Sequence, residues 1–510
     1  MKENHEVEVK PIVINKLQVP DEFDTESICR QLVEHRRVIL KAKLPGCGKS
    51  YACKRLEDLG HNVLFVCPTN ELCKNNLDDG VISVTVHTFF GCGISEDVKV
   101  SRFDDSKFDV VVFDEVYLCD LKFLTKIKHY CDEHPEKLVL GTGDTLQNEP
   151  INPLSTQFEH DAYANHIMSI IFPSEIFLQV NKRLNNEADK KKLIKLQEDL
   201  FDESKDVYKT LRENFKFTKT IDTANNVSYR DNIAEEISNH VRKKQNRQSD
   251  YEVGEQLLCN AFYQTSGYKK LKNSSQVEKV RKFNCNKNCR FEVAANDGET
   301  ITLKAVQYDF VHADSIDPDD DITVIKTKGD HRMISFNIYL PIKKALVAKH
   351  FIYGYCRTGH SLQGVTIRDK ITVCDWRYLE RQDPVRLRKW LYVAITRATS
   401  LDDVQIFAGG NAEFNDQLWK LYLKKKVVQY KEQDKRANRE MDPENYITEQ
   451  WLDDNLCNVC IHCNCTFDVS FKECKVSCNL TADRVDNDRS HELDNIVPCC
   501  TSCNVRKVKR

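Results

Sequence analysis

Four short apolar runs set the pattern of the first third of the chain, each bounded by polar or glycine-containing residues: "RRVILKAKL" (36–44), "NVLFVCPTN" (62–70), "FDVVVFDE" (108–115) and "KLVLGTGD" (137–144). Unbroken runs of this length, rich in Val, Leu and Ile, predict strands covered on both faces, as in a parallel sheet. Segments of helical character separate them, such as "KSYACKRLEDLG", where Gly60 is placed to end the helix. The alternation predicts an α/β nucleotide-binding domain. From about 255 to 345 the pattern changes to short β-like pieces with turn signals, including Asp297-Gly298, a pair suited to a hairpin. Strand and helix texture resumes at "FIYGYCRTGHSLQG" and runs to about residue 420.

Composition narrows the class. A chain of 510 residues has room for several domains with their own cores, and 41% hydrophobic with 30% charged residues is a globular balance. The first residues, "MKENHEVEVKPIVINK", hold no apolar stretch fit for a signal or a membrane span, so the protein is expected inside the cell, in cytoplasm or nucleus, with no membrane partner. Nine of the 22 cysteines fall between Cys457 and Cys503, which favours reduced thiols and a local metal site over a disulfide framework. The net charge of −3 decides nothing about nucleic acid, because a binding groove needs local positive charge. The stretch "KKKVVQYKEQDKRANRE" (424–440) supplies seven Lys and Arg against three acids; it reads as a solvated connector or as one that contacts a phosphate backbone.

Candidate chemistry begins at "KLPGCGKS" (43–50), between an apolar run and a helix, where backbone N–H groups can wrap a phosphate chain. Gly46, Cys47, Gly48, Lys49, Ser50 and Tyr51 form this loop, with Lys49 reaching the β and γ phosphates and Ser50 holding Mg²⁺; Lys43 stands where such loops usually start with glycine. The strand "VVVF" delivers Asp114, a Mg²⁺ ligand through water, and Glu115, which can orient or deprotonate the attacking water. "GTGDTLQNEP" adds Asp144 and Gln147 near the γ-phosphate.

In this order the motifs resemble superfamily 1 helicases, in particular the RecD-like branch with its Pif-type members, over roughly residues 30 to 410. "VCPTNELC" is similar to motif Ia, "VTVHTFFG" to Ib, "GDTLQ" to III, "LQVNKRL" to IV, "TGHSLQGVT" to V and "LYVAITRAT" to VI. The resemblance implies two RecA-like motor domains, at 30–165 and at 166–254 with 346–420, a 1–29 extension, and an SH3-like β-rich insertion at 255–345. It implies ATP hydrolysis and 5′-to-3′ movement on single-stranded and duplex DNA alongside replication or recombination proteins; RNA stays open as a second track. Arg183 and Arg397 resemble arginines that reach the γ-phosphate from the second lobe, and Gly364 joins the nucleotide set. Pro68, Thr69, Asn70, His87, Thr88, His360, Ser361 and Gln363 are implied to line the strand path, with Phe89 or Phe90 either stacking on bases or packing in the core. Motif II reads "DEVY", with Tyr117 where smaller or different residues are common.

After a basic linker expected at 421–450, the tail (451–510) holds two thiol pairs, Cys460/Cys463 and Cys500/Cys503, at a spacing that zinc accepts, with Cys457, Cys465, Cys474, Cys478 and Cys499 as further thiols. "DRVDNDRSHELDN" followed by "CCTSCN" resembles zinc-containing HNH endonucleases of phage and mobile-element type. The resemblance implies a ββα fold in which Asp483 and Asn504 bind a divalent ion and Asn495 steadies the hairpin. Its general base should sit at Arg484, and arginine cannot accept a proton near neutral pH. Three outcomes stay open: His491 serves as base, the metal alone activates water, or the module grips DNA without cutting it.

Overall fold

The computed structural model describes residues 14–19, 21–42, 44–92, 102–144, 157–184, 186–218, 220–221, 223–247, 249–270, 277–317, 320–362, 365–408, 416–456, 458–467, 469–472 and 475–507. Lys43, Gln147, Gln363, Gly364, Cys457 and Cys474 lie outside them. The chain divides into two compact units: residues 1–194, 249–354 and 360–366, and residues 195–248, 355–359 and 367–510.

In the first unit, strands β1 (Asn15–Leu17), β2 (Arg37–Ala42), β3 (Val63–Cys67), β4 (Ser83–Thr85), β5 (Val110–Phe113), β6 (Leu138–Gly143) and β7 (Ser174–Leu178) form one sheet in the order β1-β7-β2-β6-β5-β3-β4. Every pairing is parallel. All residues of β3, β5 and β6 are buried, which is why their sequences run apolar without alternation. Because the strands share a direction, the loop after β2 and the turns after β5 and β6 emerge at one edge, where such sheets gather ligands.

The boundary expected at residue 166 falls elsewhere. β7 pairs with β2 over Val38–Ala42, so this segment completes the first sheet rather than opening a second domain. The β-rich insertion is an eight-stranded antiparallel sheet whose 13-residue strands Thr300–His312 and His331–Lys343 pair along their whole length. Asp297-Gly298 turns the hairpin as expected: the Asp297 carboxylate accepts from the Glu299 and Thr300 N–H groups at 3.0 and 2.7 Å. Flanked in sequence by pieces of the other unit, the insertion nevertheless belongs with the first. Met333, Tyr308, Phe310 and Ile325 join the apolar core of the parallel sheet, Lys326 pairs with Glu57, and Arg290 pairs with the buried Glu71 at 3.0 Å.

The second unit holds a five-stranded parallel sheet in the order Cys356–Thr358, Asn225–Ser228, Ile371–Val373, Val404–Phe407, Lys216–Thr218. It also contains the cysteine-rich tail. The segment expected as a linker is a 21-residue helix, Asp416–Arg436. Its Trp419, Leu423 and Tyr430 are buried in one core with Leu452, Cys460, Phe467, Leu480 and Ile496. Its lysines lie outside that core alongside the exposed Leu421 and Val428, so a helix that reads as polar carries part of the tail's core. Within the same unit, Arg212 donates to Asn458 Oδ1 at 2.6 Å and Arg377 donates to the Phe467 carbonyl.

Candidate functional site

The phosphate loop follows β2. Gly46 and Gly48 have φ of +74° and +83°, a left-handed backbone that L side chains rarely adopt. At Gly46 space is also short: a Cβ there would lie 2.5 Å from the Arg183 Cβ. Gly48 caps the helix Lys49–Lys54, and Lys49 is buried at the loop. A helical turn from Arg55 to Leu59 extends it, ending at Gly60 in the left-handed conformation. Burial pushes the Cys47 thiol up to about 11, so it stays protonated and packs while donating to the Leu44 carbonyl at 3.0 Å. Tyr51 points outward, 55% exposed.

Ser50 Oγ donates to Asp114 Oδ1 at 2.8 Å. Thr142 Oγ1 donates to the same oxygen, and Asn76 reaches Oδ2 at 3.3 Å. Thr142 is also the acceptor for the Glu115 N–H, at 3.1 Å. Glu115 itself has φ of +49°, a strained setting for a residue with a side chain. Asp144, buried, follows the end of β6. This donor set fits a magnesium-bound triphosphate: a hydroxyl and a carboxylate face each other beside a lysine and two left-handed glycines.

Arg183 was expected to arrive from the second lobe. It lies instead in the first unit, clamped beside the loop. Lys182 N–H donates to the Gly46 carbonyl at 2.8 Å, Asn181 Nδ2 donates to the Pro45 carbonyl at 2.5 Å, and Asn181 Oδ1 accepts from the Arg183 and Leu184 N–H groups. Burial pulls the Arg183 guanidinium below its usual range, opposed by the nearby Glu115 carboxylate. Arg397 is in the second unit, 2% exposed, with Nε donating to the Val393 carbonyl at 3.0 Å.

Tyr117 packs its ring against Gly143 and sits with Lys41, which pairs with Glu175 at 2.7 Å. Of the residues expected to line a strand path, Pro68, Thr69 and Asn70 are half-buried after β3, with Thr69 capping the helix Asn70–Asp78. His87 and Thr88 are exposed after β4, His360 is half-buried and Ser361 buried. Phe89 is removed from the candidates for base stacking, because it is fully buried against Phe113 and Tyr130; Phe90 packs on Phe113 and Phe123.

Residues 44–235 match the family model described as the viral superfamily 1 RNA helicase core domain. This stretch carries a superfamily 1 helicase core. Its parallel α/β sheet, with the phosphate loop after β2 and the Asp-Glu pair after β5, is the arrangement of a RecA-like core. Among solved structures, the helicase core and its surroundings are similar to Bacteroides Pif1 bound to ssDNA (16% identity, TM-score 0.46, covering 76% of this chain and 92% of that one). They are also similar to Pif1 helicase from Candida albicans (15% identity, TM-score 0.45, covering 79% and 95%). No curated protein matches the sequence.

The tail is a second site, in the other unit. Leu480–Arg484 pairs antiparallel with Ile496–Cys500, and the helix Thr501–Lys507 follows directly. Cys460, Cys463, Cys465 and Cys500 place their sulfurs within 4.8 Å of one another. Thiolates on a zinc tetrahedron, about 2.3 Å from the ion, stand about 3.8 Å apart, and Cys463 and Cys500 are 3.7 Å apart. Cys503, expected as the fourth ligand, yields its place in this tightest group to Cys465, and its own N–H donates to Cys500 Sγ at 3.4 Å. Burial would raise the Cys460 thiol, but backbone N–H groups of Cys500, Cys463 and His462 bring it down to about 6, so it is ready to ligate as thiolate.

Asp483 and Asn504 line one cavity of about 560 Å³ with Lys426, Tyr430, Arg484 and His491. Asn504 Nδ2 donates to Thr481 Oγ1 at 3.0 Å, so its amide oxygen is the end left for a cation. Asp483 Oδ2 meets His462 Nε2 at 2.8 Å. Asn495, buried, binds across the connecting loop: Oδ1 accepts from the Asp486 N–H at 2.9 Å, and Nδ2 donates to the Asp486 and Ser490 carbonyls at 3.0 Å each. Sequence reasoning missed Asp434, a fully buried carboxylate on the long helix, and His462; one sat in an apparent linker and the other between two cysteines, so no spacing marked either.

Proposed function

We propose that the protein is an ATP-driven DNA helicase or translocase, of 5′-to-3′ polarity, fused to an HNH-type nuclease whose fold zinc holds together. The observation that carries the motor reading is the contact of Ser50 with Asp114, set beside Lys49 and the left-handed glycines within a matched helicase core. Ser50 and Asp114 would hold Mg²⁺, which supplies neutralising charge to the β and γ phosphates when bound. Lys49 binds the phosphate oxygens, Glu115 orients the attacking water, and Arg183, fixed against Gly46, meets charge that develops at the γ-phosphate. Arg397 belongs to the second motor domain in this reading. A DNA track is part of this reading, and the strand-displacement assay below tests it.

For the tail, the ββα arrangement with Asp483 and Asn504 on one cavity supports metal-dependent phosphodiester cleavage. Asp483 and Asn504 would hold the divalent ion, which supplies Lewis acidity toward the scissile phosphate. Cys460, Cys463 and Cys500, with Cys465 or Cys503, would hold zinc, whose part is structural. An ATPase assay with and without single-stranded DNA tests the motor: stimulation by DNA and displacement of an annealed strand are expected. Turnover indifferent to DNA, with no displacement, removes the helicase reading.

A further inference from the structure

The tail presents a puzzle of charge. Arg484 stands where a base is needed, and a buried carboxylate, Asp434, lies on a different element, 50 residues earlier in the chain. The structure resolves the two together. Asp434 Oδ1 accepts from Arg484 Nη1 at 3.3 Å and from Arg439 Nη1 at 3.1 Å. Its Oδ2 accepts from Tyr446 Oη at 2.6 Å, from the His491 N–H at 2.9 Å and from His491 Nδ1 at 2.7 Å. Arg484 is therefore turned toward a carboxylate, not toward a water, and His491 is held at both its backbone and its ring.

That geometry fixes the imidazole's tautomer. Burial alone would raise the Asp434 carboxyl, but the hydrogen bonds from Tyr446 and His491 hold it below the usual carboxylate range, so it is an acceptor only. Nδ1 of His491 must then carry the proton, and Nε2 carries the lone pair. His491 lines the cavity that Asp483 and Asn504 share, and the Tyr430 ring packs on it at 4.5 Å. His462, the other histidine near Asp483, has its Nε2 spent on that carboxylate.

We propose that the helix Asp416–Arg436 completes the tail's catalytic centre, with Asp434 as the positioning residue that presents His491 as general base. This rests on the nuclease reading above. In the step, His491 Nε2 takes a proton from water, the water oxygen bonds to phosphorus, and the P–O3′ bond breaks with its electron pair passing to O3′, which is protonated from solvent. Asp434 stabilises the imidazolium formed and does not itself take the proton.

The pH dependence follows from the groups around His491: Asp434, Arg439 and Tyr430 from the helix side, Arg484 from the strand, Tyr446 from the intervening segment, and Lys426 and Asp483 across the cavity. Burial lowers the imidazole from its ordinary value, Asp434 opposes this, and the two arginines add to it. The basic form is thus already present at neutral pH, and the rate declines only on the acid side of the ordinary histidine value, about 6.5. Removing the Asp434 charge moves that acid limb lower still, while the plateau rate falls.

The test uses the full-length chain nicking supercoiled plasmid with Mg²⁺ or Mn²⁺ across pH 5 to 8. Wild type is expected to nick; His491→Gln should lose about 10²-fold or more, and Asp434→Asn about tenfold or more with its acid limb shifted down. Zinc content and thermal unfolding report whether each variant is folded. Nicking by His491→Gly restored with added imidazole supports the assignment by a route that a structural role does not share. Wild-type-like rates and pH profiles in folded His491→Gln, or loss confined to His462→Gln, overturn it while leaving the nuclease reading in place. A wild-type chain that never nicks removes both.

Discussion

Thr142 and Asp114 are bonded side chain to side chain at the ends of neighbouring strands, and the Thr142 hydroxyl also receives the Glu115 N–H. One buried hydroxyl thus holds two neighbouring residues assigned to hydrolysis. Thr142→Val keeps the shape and removes both bonds. It is expected to cost about 1–3 kcal/mol in thermal or denaturant unfolding and to lower ATP turnover more than ATP binding. Turnover equal to wild type would show that Asp114 and Glu115 are set by other contacts.

Lys49→Ala is expected to lower ATPase activity by about a hundredfold or more without changing zinc content. The two readouts belong to different compact units, so a joint loss would point to global misfolding, and full activity would remove the loop from the mechanism.

Glu115 occupies a left-handed backbone that costs a side-chain-bearing residue about 1–2 kcal/mol. Glu115→Gly is therefore expected to leave the protein as stable as wild type, or more stable by up to about 1 kcal/mol after glycine's own entropic penalty, while hydrolysis stops. A clear loss of stability, measured by denaturant unfolding, would mean that the conformation is not strained.

Buried strands and phosphate-loop glycines were legible because each obeys a local rule: unbroken Val and Leu runs for a doubly covered sheet, glycine where the backbone turns left-handed. What was not legible depends on distant pairing. Nothing local in Ser174–Leu178 says which sheet it joins, and only the hydrogen bonds of β7 to β2 place it in the first sheet and carry Arg183 to the loop with it. The basic helix reads as a linker because its lysines dominate the composition, while Trp419, Leu423 and Tyr430 acquire meaning only against the core they enter. Asp434 could not be distinguished from the acids around it until its five donors were in view.

Among the described residues, Cys460, Cys463, Cys465 and Cys500 form a group that could hold a metal, with Cys503 at its edge. Serine at Cys460, Cys463 or Cys500 is expected to abolish zinc binding, whereas Cys465→Ser and Cys503→Ser should each weaken it, since either thiol can fill the fourth corner. Zinc content by atomic absorption after dialysis decides it; complete loss in one of the latter pair names the sole fourth ligand.

Asp483→Ala and Asn504→Ala are expected to eliminate Mg²⁺- or Mn²⁺-dependent plasmid nicking with zinc retained. Nicking that survives both changes would place the cleavage elsewhere or in a contaminant.

Because Trp419, Leu423 and Tyr430 share a core with Cys460 and Phe467, the tail's interior includes the helix Asp416–Arg436 and does not begin at the first cysteines. A fragment started at residue 451 would be born without one wall of its interior and without the carboxylate that steadies His491. Excision there would yield a sticky, inert remnant, and its silence in an assay would say nothing about the intact protein.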